Sequence, residues 1–192
     1  MRFTGCDLQS PTPDFVGIPR TKTKVHAAPA STTGAATAEG FPTSTSASFG
    51  DWTMRCQRVA LNGSDQQNVC EVVYQVRAQD QQNPVAEIAI GRLKKADPLT
   101  LTAVLPVNTT FPNAPTLSAD AKGGDPVELT WRKCLPGGCF ADTGMRDDLL
   151  RKWRAQAAPG RLMWKDAAGR DFTVSISFRG LSQALDALAK ES

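Results

Sequence analysis

The plainest pattern in the chain is an alternation of apolar and polar residues close to its C-terminus. Between residues 171 and 178 every second position is apolar, namely Phe172, Val174, Ile176 and Phe178. Successive side chains of a β-strand point to opposite faces, so these side chains would share one face. The pattern therefore predicts a strand with one apolar side.

Other short segments rich in β-branched or alternating apolar residues predict further strands at 52–57, 70–76, 85–93, 99–107 and 127–133. Turn-forming residues separate these segments at 83–84, 96–98, 112–113 and 122–125. The last of these turns, around Gly123-Gly124-Asp125, is typical of a hairpin rather than of a phosphate loop, because no helix follows it. Since no βαβ alternation occurs, we expect a mainly β fold, an antiparallel β-sandwich or barrel-like body.

Two short helices are predicted near the end of the chain, at 146–156 and 181–190. The first begins with Asp147 and Asp148 and carries its basic residues late, as the helix dipole favours. The second places its leucines Leu181, Leu185 and Leu188 on one stripe, which we expect to face the core.

The first part of the chain has a different composition. Between residues 27 and 49, all but Glu39, Phe41 and Phe49 are Ala, Pro, Ser, Thr or Gly. Such a segment buries too little apolar surface to offset the entropy of ordering its backbone. We therefore predict a disordered or low-complexity tail at 1–48, followed by one β-rich domain at 49–192.

Composition and charge exclude several classes of protein. The 192 residues are 41% hydrophobic and 21% charged, close to the average for globular proteins. No run approaches the roughly 18 apolar residues that a membrane-spanning helix requires, so no integral membrane span is expected. The 22 basic and 19 acidic residues leave a net charge of +3, too small a bias to indicate nucleic-acid binding.

The sequence offers little for catalysis. The single histidine, His26, lies in the predicted tail, and no nucleophile-elbow, P-loop or zincin motif occurs. Asp147 and Asp148 are adjacent, so on a helix they point about 100° apart and do not form a catalytic acid–base pair. We therefore expect no enzyme and no cofactor. The alternatives are a hydrolase that uses only carboxylates and a general periplasmic structural protein.

Cysteine spacing indicates a disulfide-stapled body. Cys56, Cys70, Cys134 and Cys139 allow three connectivities. A hairpin-like return around the polar loop 61–68 favours Cys56 with Cys70, and a type II turn centred on Pro136 and Gly137 favours Cys134 with Cys139. A four-thiolate zinc site and a thioredoxin-type redox pair are the alternatives, and neither has its usual spacing here.

Several of these features together resemble a known family. The chain resembles the invasion-associated locus B (IalB) family in four features: Phe49-Gly50-Asp51-Trp52 before Cys56, a second cysteine at Cys70, the Cys134–Cys139 turn, and the closing Ile176-Ser177-Phe178-Arg179-Gly180-Leu181 with Ala184 and Leu185. The resemblance spans about residue 49 to the C-terminus. It implies an exported α-proteobacterial protein with a β-rich fold, connected in some pathogens with entry into host cells, and it carries over no catalytic residue.

Disulfides and this resemblance both imply a periplasmic or secreted protein. No complete signal peptide occurs near Met1, because the apolar stretch that a signal needs is missing. Phe3-Thr4-Gly5-Cys6 is similar to the end of a lipoprotein signal, in which Cys6 would be lipidated. The alternative, a free thiol in the tail, is favoured because three residues do not form a signal.

The expected activity is the binding of an unknown envelope or host protein. The Cys134–Cys139 turn is the predicted contact, with Leu135 as its exposed apolar anchor, because a covalently closed turn loses little entropy on binding. The simpler reading is that this bridge only braces the end of a strand. Trp131, Trp153 and Trp164 could form a ligand-stacking surface, but large aromatic residues in a small sandwich more often belong to the core.

Overall fold

The structure, a computed structural model, describes residues 43–62, 65–78 and 83–191. Most of the predicted tail, including Cys6 and His26, lies outside these residues. The described part is mainly β, with two antiparallel sheets, two helices and two disulfides. This is the fold class that the sequence predicts.

The larger sheet has seven antiparallel strands in the order β1-β2-β3-β4-β5-β9-β8. Its strands are β1 (Ser44–Phe49), β2 (Trp52–Asn62), β3 (Asp65–Val76), β4 (Ala86–Gly91), β5 (Thr100–Leu105), β8 (Thr130–Leu135) and β9 (Gly138–Gly144). Five of the six pairs of neighbouring strands in this sheet are also consecutive in the chain, and β5 with β9 is the exception.

The smaller sheet has four antiparallel strands in the order β11-β10-β6-β7. Its strands are β6 (Thr116–Ser118), β7 (Val127–Glu128), β10 (Gly160–Lys165) and β11 (Asp171–Ile176). The segment Gly123-Gly124-Asp125 lies between β6 and β7, which pair with each other. It is therefore part of a hairpin connection, as predicted. Both sheets are open, which makes the described body a sandwich rather than a closed barrel.

The two helices are α1 (Asp147–Arg154) and α2 (Leu181–Glu191), close to their predicted bounds. Helix α1 carries Asp147 and Asp148 in its first turn, where acidic side chains complement the helix dipole. Helix α2 buries the predicted leucine stripe, with Leu181, Leu185 and Leu188 almost fully enclosed.

The core is shared by both sheets and both helices. Its largest fully buried side chains include Trp52 of β2, Trp153 of α1 and Leu162 of β10. The indole Nε1 of Trp52 donates a hydrogen bond to the backbone oxygen of Ser177 at 2.9 Å, so the buried ring satisfies its polar atom. The burial of the predicted apolar face increases along β11. Phe172 near the start of the strand is exposed, whereas Ile176 at its end is fully enclosed.

The ordered body begins earlier than the sequence predicts. The sequence predicts that residues 44–48 belong to the tail, yet in the structure they lie in β1, which pairs with β2 from Ser44 opposite Gln57 to Phe49 opposite Trp52. Small polar residues show no strand pattern of their own, and pairing with a neighbouring strand supplies the hydrogen bonds instead. The boundary predicted at residue 49 is therefore corrected for this segment.

Other differences concern the ends of strands. The loop predicted at 61–68 is much shorter, because β2 runs to Asn62 and β3 starts at Asp65. Polar residues in a hairpin can pair through their backbones without any buried face, so polarity alone does not indicate a loop. The strand predicted at 127–133 is divided between β7 and β8, which belong to different sheets. Strands β6, β9 and β10 were not predicted.

Candidate partner-binding site

Both pairs of cysteines in the body are joined by disulfides. Cys56 and Cys70 face each other on β2 and β3, and Cys134 and Cys139 face each other on β8 and β9. These are the pairings that local geometry favours from the sequence. The four thiols are all used in disulfides, so the alternative of a four-thiolate zinc site is wrong.

The Cys134–Cys139 disulfide closes a tight hairpin at one end of the larger sheet. Leu135 pairs with Gly138, which leaves Pro136 and Gly137 as the loop. A type II turn requires a positive φ at Gly137, but the positive φ, 147°, lies at Gly138 instead. The predicted turn type is therefore wrong, although the chain reversal is where the sequence places it.

Gly138 matters because β9 begins in close contact with β5. A Cβ atom at this position would lie 2.7 Å from Cγ1 of Val104 and 2.8 Å from the backbone oxygen of Leu105. Only glycine fits this approach without displacing β5. The hairpin is thus held to the sheet by backbone packing as well as by its disulfide.

Leu135 is exposed on a rigid support. Its exposed fraction is 46%, whereas Cys139 at the other side of the hairpin is fully buried. The disulfide therefore connects an exposed hairpin tip to the core. An apolar side chain fixed in this way can contact a partner with little loss of conformational entropy.

The strand that carries Leu135 is also an edge. Strand β8 pairs with β9 on one side, and no strand of the described part pairs with its other side. Near its start, Trp131 contacts Phe111 with ring centroids 4.7 Å apart, and its Nε1 donates to the backbone oxygen of Asn113 at 2.9 Å. Phe111 is 50% exposed. An edge strand with apolar side chains beside it is a surface to which an extended polypeptide can bind.

A groove of about 620 Å³ crosses the outer face of the larger sheet beside the hairpin. Gly137 and Phe140 of the hairpin line one part of it, and Val104 and Ala89 of the central strands line its floor. Outer faces of antiparallel sheets are usually polar, so the apolar floor here is unusual. The groove continues the surface that Leu135 begins.

A charged cluster lies across the groove from the hairpin. Nε of Arg55 is 2.7 Å from Oε1 of Glu71, and Nη2 of Arg55 is 2.7 Å from Oε1 of Glu87. The other carboxylate oxygen of Glu87, Oε2, accepts a hydrogen bond from Nε2 of Gln75. Partial burial disfavours the charge on Arg55, but its hydrogen bonds to Glu71 and Glu87 outweigh this effect and raise the pKa of the guanidinium. One cation thus holds two carboxylates together.

Sequence reasoning missed this cluster, although a signal was present. Each of its members lies between two core residues of a strand, at the position that points outward. Pairing Cys56 opposite Cys70 in an antiparallel hairpin also places Arg55 opposite Glu71. The position of Glu87 beside these two residues could be predicted only from the full strand order, which places β4 next to β3.

The remaining candidate residues have structural positions. Trp153 and Trp164 are buried in the core, and Trp131 is half-buried beside β8, so they do not form a common stacking surface. In the part of the chain that the structure describes, no group of three His, Cys, Asp or Glu side chains could hold a metal ion. No helix of this part is long and apolar enough to cross a membrane.

Fold and site together define a disulfide-stapled β-sandwich with an exposed, covalently closed hairpin. Residues 52–189 match the family model described as invasion associated locus B (IalB) protein. This match covers well over half of the 192 residues, so the chain belongs to the invasion associated locus B family. The resemblance seen in the sequence is confirmed.

A solved structure has a similar fold. The crystal structure of invasion associated protein B from Bartonella henselae superposes with a TM-score of 0.62 at 19% sequence identity, and the match covers 76% of this chain and 95% of that chain. At this identity the likeness shows the fold alone. The comparison with curated proteins found no match.

Proposed function

We propose that this protein is an exported, non-catalytic envelope or secreted protein that binds a macromolecular partner through the Cys134–Cys139 hairpin. The observation that carries the proposal is Leu135, which is 46% exposed on a hairpin whose other cysteine is fully buried. Two disulfides support a periplasmic or extracellular location, because such bonds persist in oxidising compartments.

The partner that this surface fits is an extended polypeptide with apolar side chains. Strand β8 offers main-chain hydrogen-bonding groups along an edge of the sheet, and such edges bind extended segments by adding a strand. The exposed side chains of Leu135 and Phe111 lie on the hairpin and beside this strand, where they can contact alternate side chains of the partner. This partner is an envelope or host protein.

The hydrolase alternative rests on Glu71 and Glu87, which line the groove together. A glycosidase-type mechanism requires one of two carboxyl groups to retain a proton as the general acid. Here both groups form ion pairs with Arg55, which links strands β2, β3 and β4 across the sheet. The arrangement therefore supports a structural ion-pair cluster better than an acid–base pair.

A photo-crosslinking experiment tests the proposal. Benzoylphenylalanine replaces Leu135 in one sample and Phe172 in another; Phe172 is also exposed but lies on β11 of the smaller sheet. After irradiation in the native envelope, we expect a discrete adduct from position 135 and none from position 172. An equal adduct pattern from both positions would contradict a specific contact at the hairpin.

The variant Leu135→Asp separates binding from bracing. We expect it to abolish the adduct made through a second photo-crosslinker at Lys133, while the melting temperature changes by less than about 2 °C, because the side chain is at the surface. A large loss of melting temperature with normal crosslinking would show that the hairpin only braces the strand end.

Two finer points are proposals that follow from the family. A contribution to host-cell entry predicts that deleting the gene lowers the number of internalised bacteria and that Leu135→Asp fails to restore it.

Lipidation at Cys6, which lies outside the described residues, predicts a diacylglyceryl mass on the N-terminal peptide of the native protein; an unmodified peptide would contradict it.

A further inference from the structure

A basic pocket lies at the end of the larger sheet opposite the Cys134–Cys139 hairpin. Its volume is about 530 Å³. The cations that line it are Arg58, Arg92, Lys94 and Lys95, with the side-chain amides of Gln66, Gln67 and Asn68 beside them. Glu191 is the acidic residue among the lining side chains. The pocket therefore combines a high density of positive charge with neutral hydrogen-bond donors.

The walls of the pocket are held in place by specific contacts. Cys70 lines it, so the Cys56–Cys70 disulfide anchors the base of the β2–β3 hairpin beside it. Nε2 of Gln67 donates to the backbone oxygen of Leu93 at 3.0 Å and so connects the hairpin to the segment after β4. That segment is folded back by Asp97, whose Oδ2 accepts a hydrogen bond from the backbone nitrogen of Lys94 at 3.1 Å.

Three cations of this pocket, Arg92, Lys94 and Lys95, are not balanced by ion pairs with carboxylates of the described residues. Several cations elsewhere on the surface have acidic partners, as in the pairs of Arg132 with Asp142 and of Arg154 with Asp186. No described carboxylate forms an ion pair with Arg92, Lys94 or Lys95. Clustered cations without acidic partners repel one another, so an anion bound among them would lower their electrostatic energy.

Arg92 adds a second, independent observation. Its Nε is buried and, within the part of the chain that is described, has no hydrogen-bond partner. A buried donor of a charged group is costly to leave without an acceptor. The guanidinium is thus partly dehydrated at the wall of the pocket, and an anion beside its remaining nitrogens would compensate its charge.

We propose that this pocket binds a phosphate-class oxyanion, the phosphate ester of a soluble metabolite or of a lipid headgroup. A phosphate carries up to two negative charges and several acceptor oxygens, which matches a set of guanidinium, ammonium and amide donors better than a single carboxylate does. Arg92 provides a planar fork, Lys94 and Lys95 provide mobile charges at the rim, and Glu191 weakens the site. The proposal is independent of the partner surface at the hairpin.

The test uses the oxidised full-length protein labelled with ¹⁵N. Inorganic phosphate and pyrophosphate are titrated at constant ionic strength against chloride, and the amide shifts of residues 92–95 are followed. We expect saturable shifts with phosphate and pyrophosphate, tighter for pyrophosphate, and none with chloride. Shifts that do not saturate, or that chloride reproduces, would overturn the proposal.

Vesicles distinguish the two sources of phosphate. Phosphatidylglycerol in phosphatidylcholine is compared with pure phosphatidylcholine by cosedimentation. If the protein sediments with the anionic vesicles and pyrophosphate reverses this sedimentation, the ligand is a lipid headgroup. If the protein binds pyrophosphate saturably but does not sediment, the ligand is a soluble phosphate ester; both outcomes support the site. If the variant Lys94→Gln/Lys95→Gln still binds the vesicles as the wild type does, the proposed site is overturned.

Variants locate the site. The double variant Lys94→Gln/Lys95→Gln should weaken pyrophosphate binding about tenfold, and Arg92→Met should do the same while keeping the apolar stem of the side chain. Glu191→Gln should strengthen binding roughly two- to fivefold by removing a like charge. The matched control Lys122→Gln/Lys133→Gln removes the same charge from exposed positions elsewhere.

The control gives the second way to overturn the proposal. If Lys122→Gln/Lys133→Gln weakens binding as much as Lys94→Gln/Lys95→Gln does, the effect is one of net charge and the pocket is not a site. Melting curves of each variant are recorded to test whether the fold is retained. Lys94 and Lys95 are exposed, so their replacement should leave the melting temperature unchanged.

Discussion

Asp51 and Arg179 lie 128 residues apart in the chain and form an ion pair, with Nε of Arg179 3.2 Å from Oδ2 of Asp51. The same oxygen accepts a hydrogen bond from Oγ of Ser177 at 2.6 Å, and the backbone nitrogen of Asp51 donates to the backbone oxygen of Arg179 at 3.0 Å. These contacts join the turn between β1 and β2 to the segment that leads into α2. They close the body by bringing its two ends together.

This ion pair predicts a pH dependence of stability. Hydrogen bonds from Arg179 and Ser177 lower the pKa of Asp51 in the folded protein. The unfolded value is about 3.9, so the stabilisation is complete above that pH and is lost as the pH falls through the lower folded pKa. Asp51→Asn should reduce the free energy of unfolding by roughly 1 kcal/mol at pH 7.

Urea denaturation of the wild type and Asp51→Asn between pH 7 and pH 2 provides the measurement. The difference between the two proteins should shrink below about pH 4 and vanish at the lowest pH. A difference that stays constant over this range would mean that the asparagine disturbs packing rather than removing a charge interaction.

The Arg55 cluster predicts a second charge effect. Arg55→Met leaves the carboxylates of Glu71 and Glu87 next to each other without a cation. We expect a loss of roughly 1–2 kcal/mol at pH 7 in low salt and a smaller loss in about 1 M salt, which screens the repulsion between the two uncompensated carboxylates. Arg132→Met, which removes the partner of only Asp142, is the control and should cost less. Equal losses at both salt concentrations would contradict the charge explanation.

The two disulfides should contribute unequally to stability. Cys56 and Cys70 are separated by 14 positions and Cys134 and Cys139 by 5, so the first bond constrains the unfolded chain more. Replacing the first pair by alanine should lower the free energy of unfolding by about 3 kcal/mol, and replacing the second pair by about 2 kcal/mol. Denaturation of each double variant measures these losses; a larger loss from the second pair would show that this bond braces the native fold.

Adjacent glycines of the hairpin should respond differently to alanine. Gly138 has a positive φ, and a Cβ there would meet Val104 and Leu105, whereas a Cβ at Gly137 meets nothing within 4 Å. Gly138→Ala should cost about 1–3 kcal/mol, and Gly137→Ala should lie within about 0.5 kcal/mol of the wild type. Thermal denaturation of the two variants tests this; equal stabilities would contradict the close contact between β9 and β5.

Local patterns were sufficient for much of the fold. The alternation at 171–178 indicated β11, and the leucine stripe at 181–190 indicated α2, because in both cases the period of the apolar residues is the period of the element. The disulfide partners could also be named, because each pair flanks a reversal of the chain. The exposed position of Leu135 followed from the same reversal.

Non-local contacts decided the rest. Strand β1 consists of small polar residues and becomes a strand because β2 offers it hydrogen-bonding groups. The basic pocket joins Arg58 on β2 to Lys94 after β4, and the groove joins Phe140 to Arg55 across several strands.

The sequence by itself determined the class of fold, both disulfides, both helices and the exposed hairpin, since each depends on residues close together in the chain. Only the tertiary structure decided which charges meet. Glu87 reaches Arg55 because β4 lies beside β3, and Arg179 reaches Asp51 because the two ends of the body come together. Strand order and register set these distances, and no local periodicity encodes them.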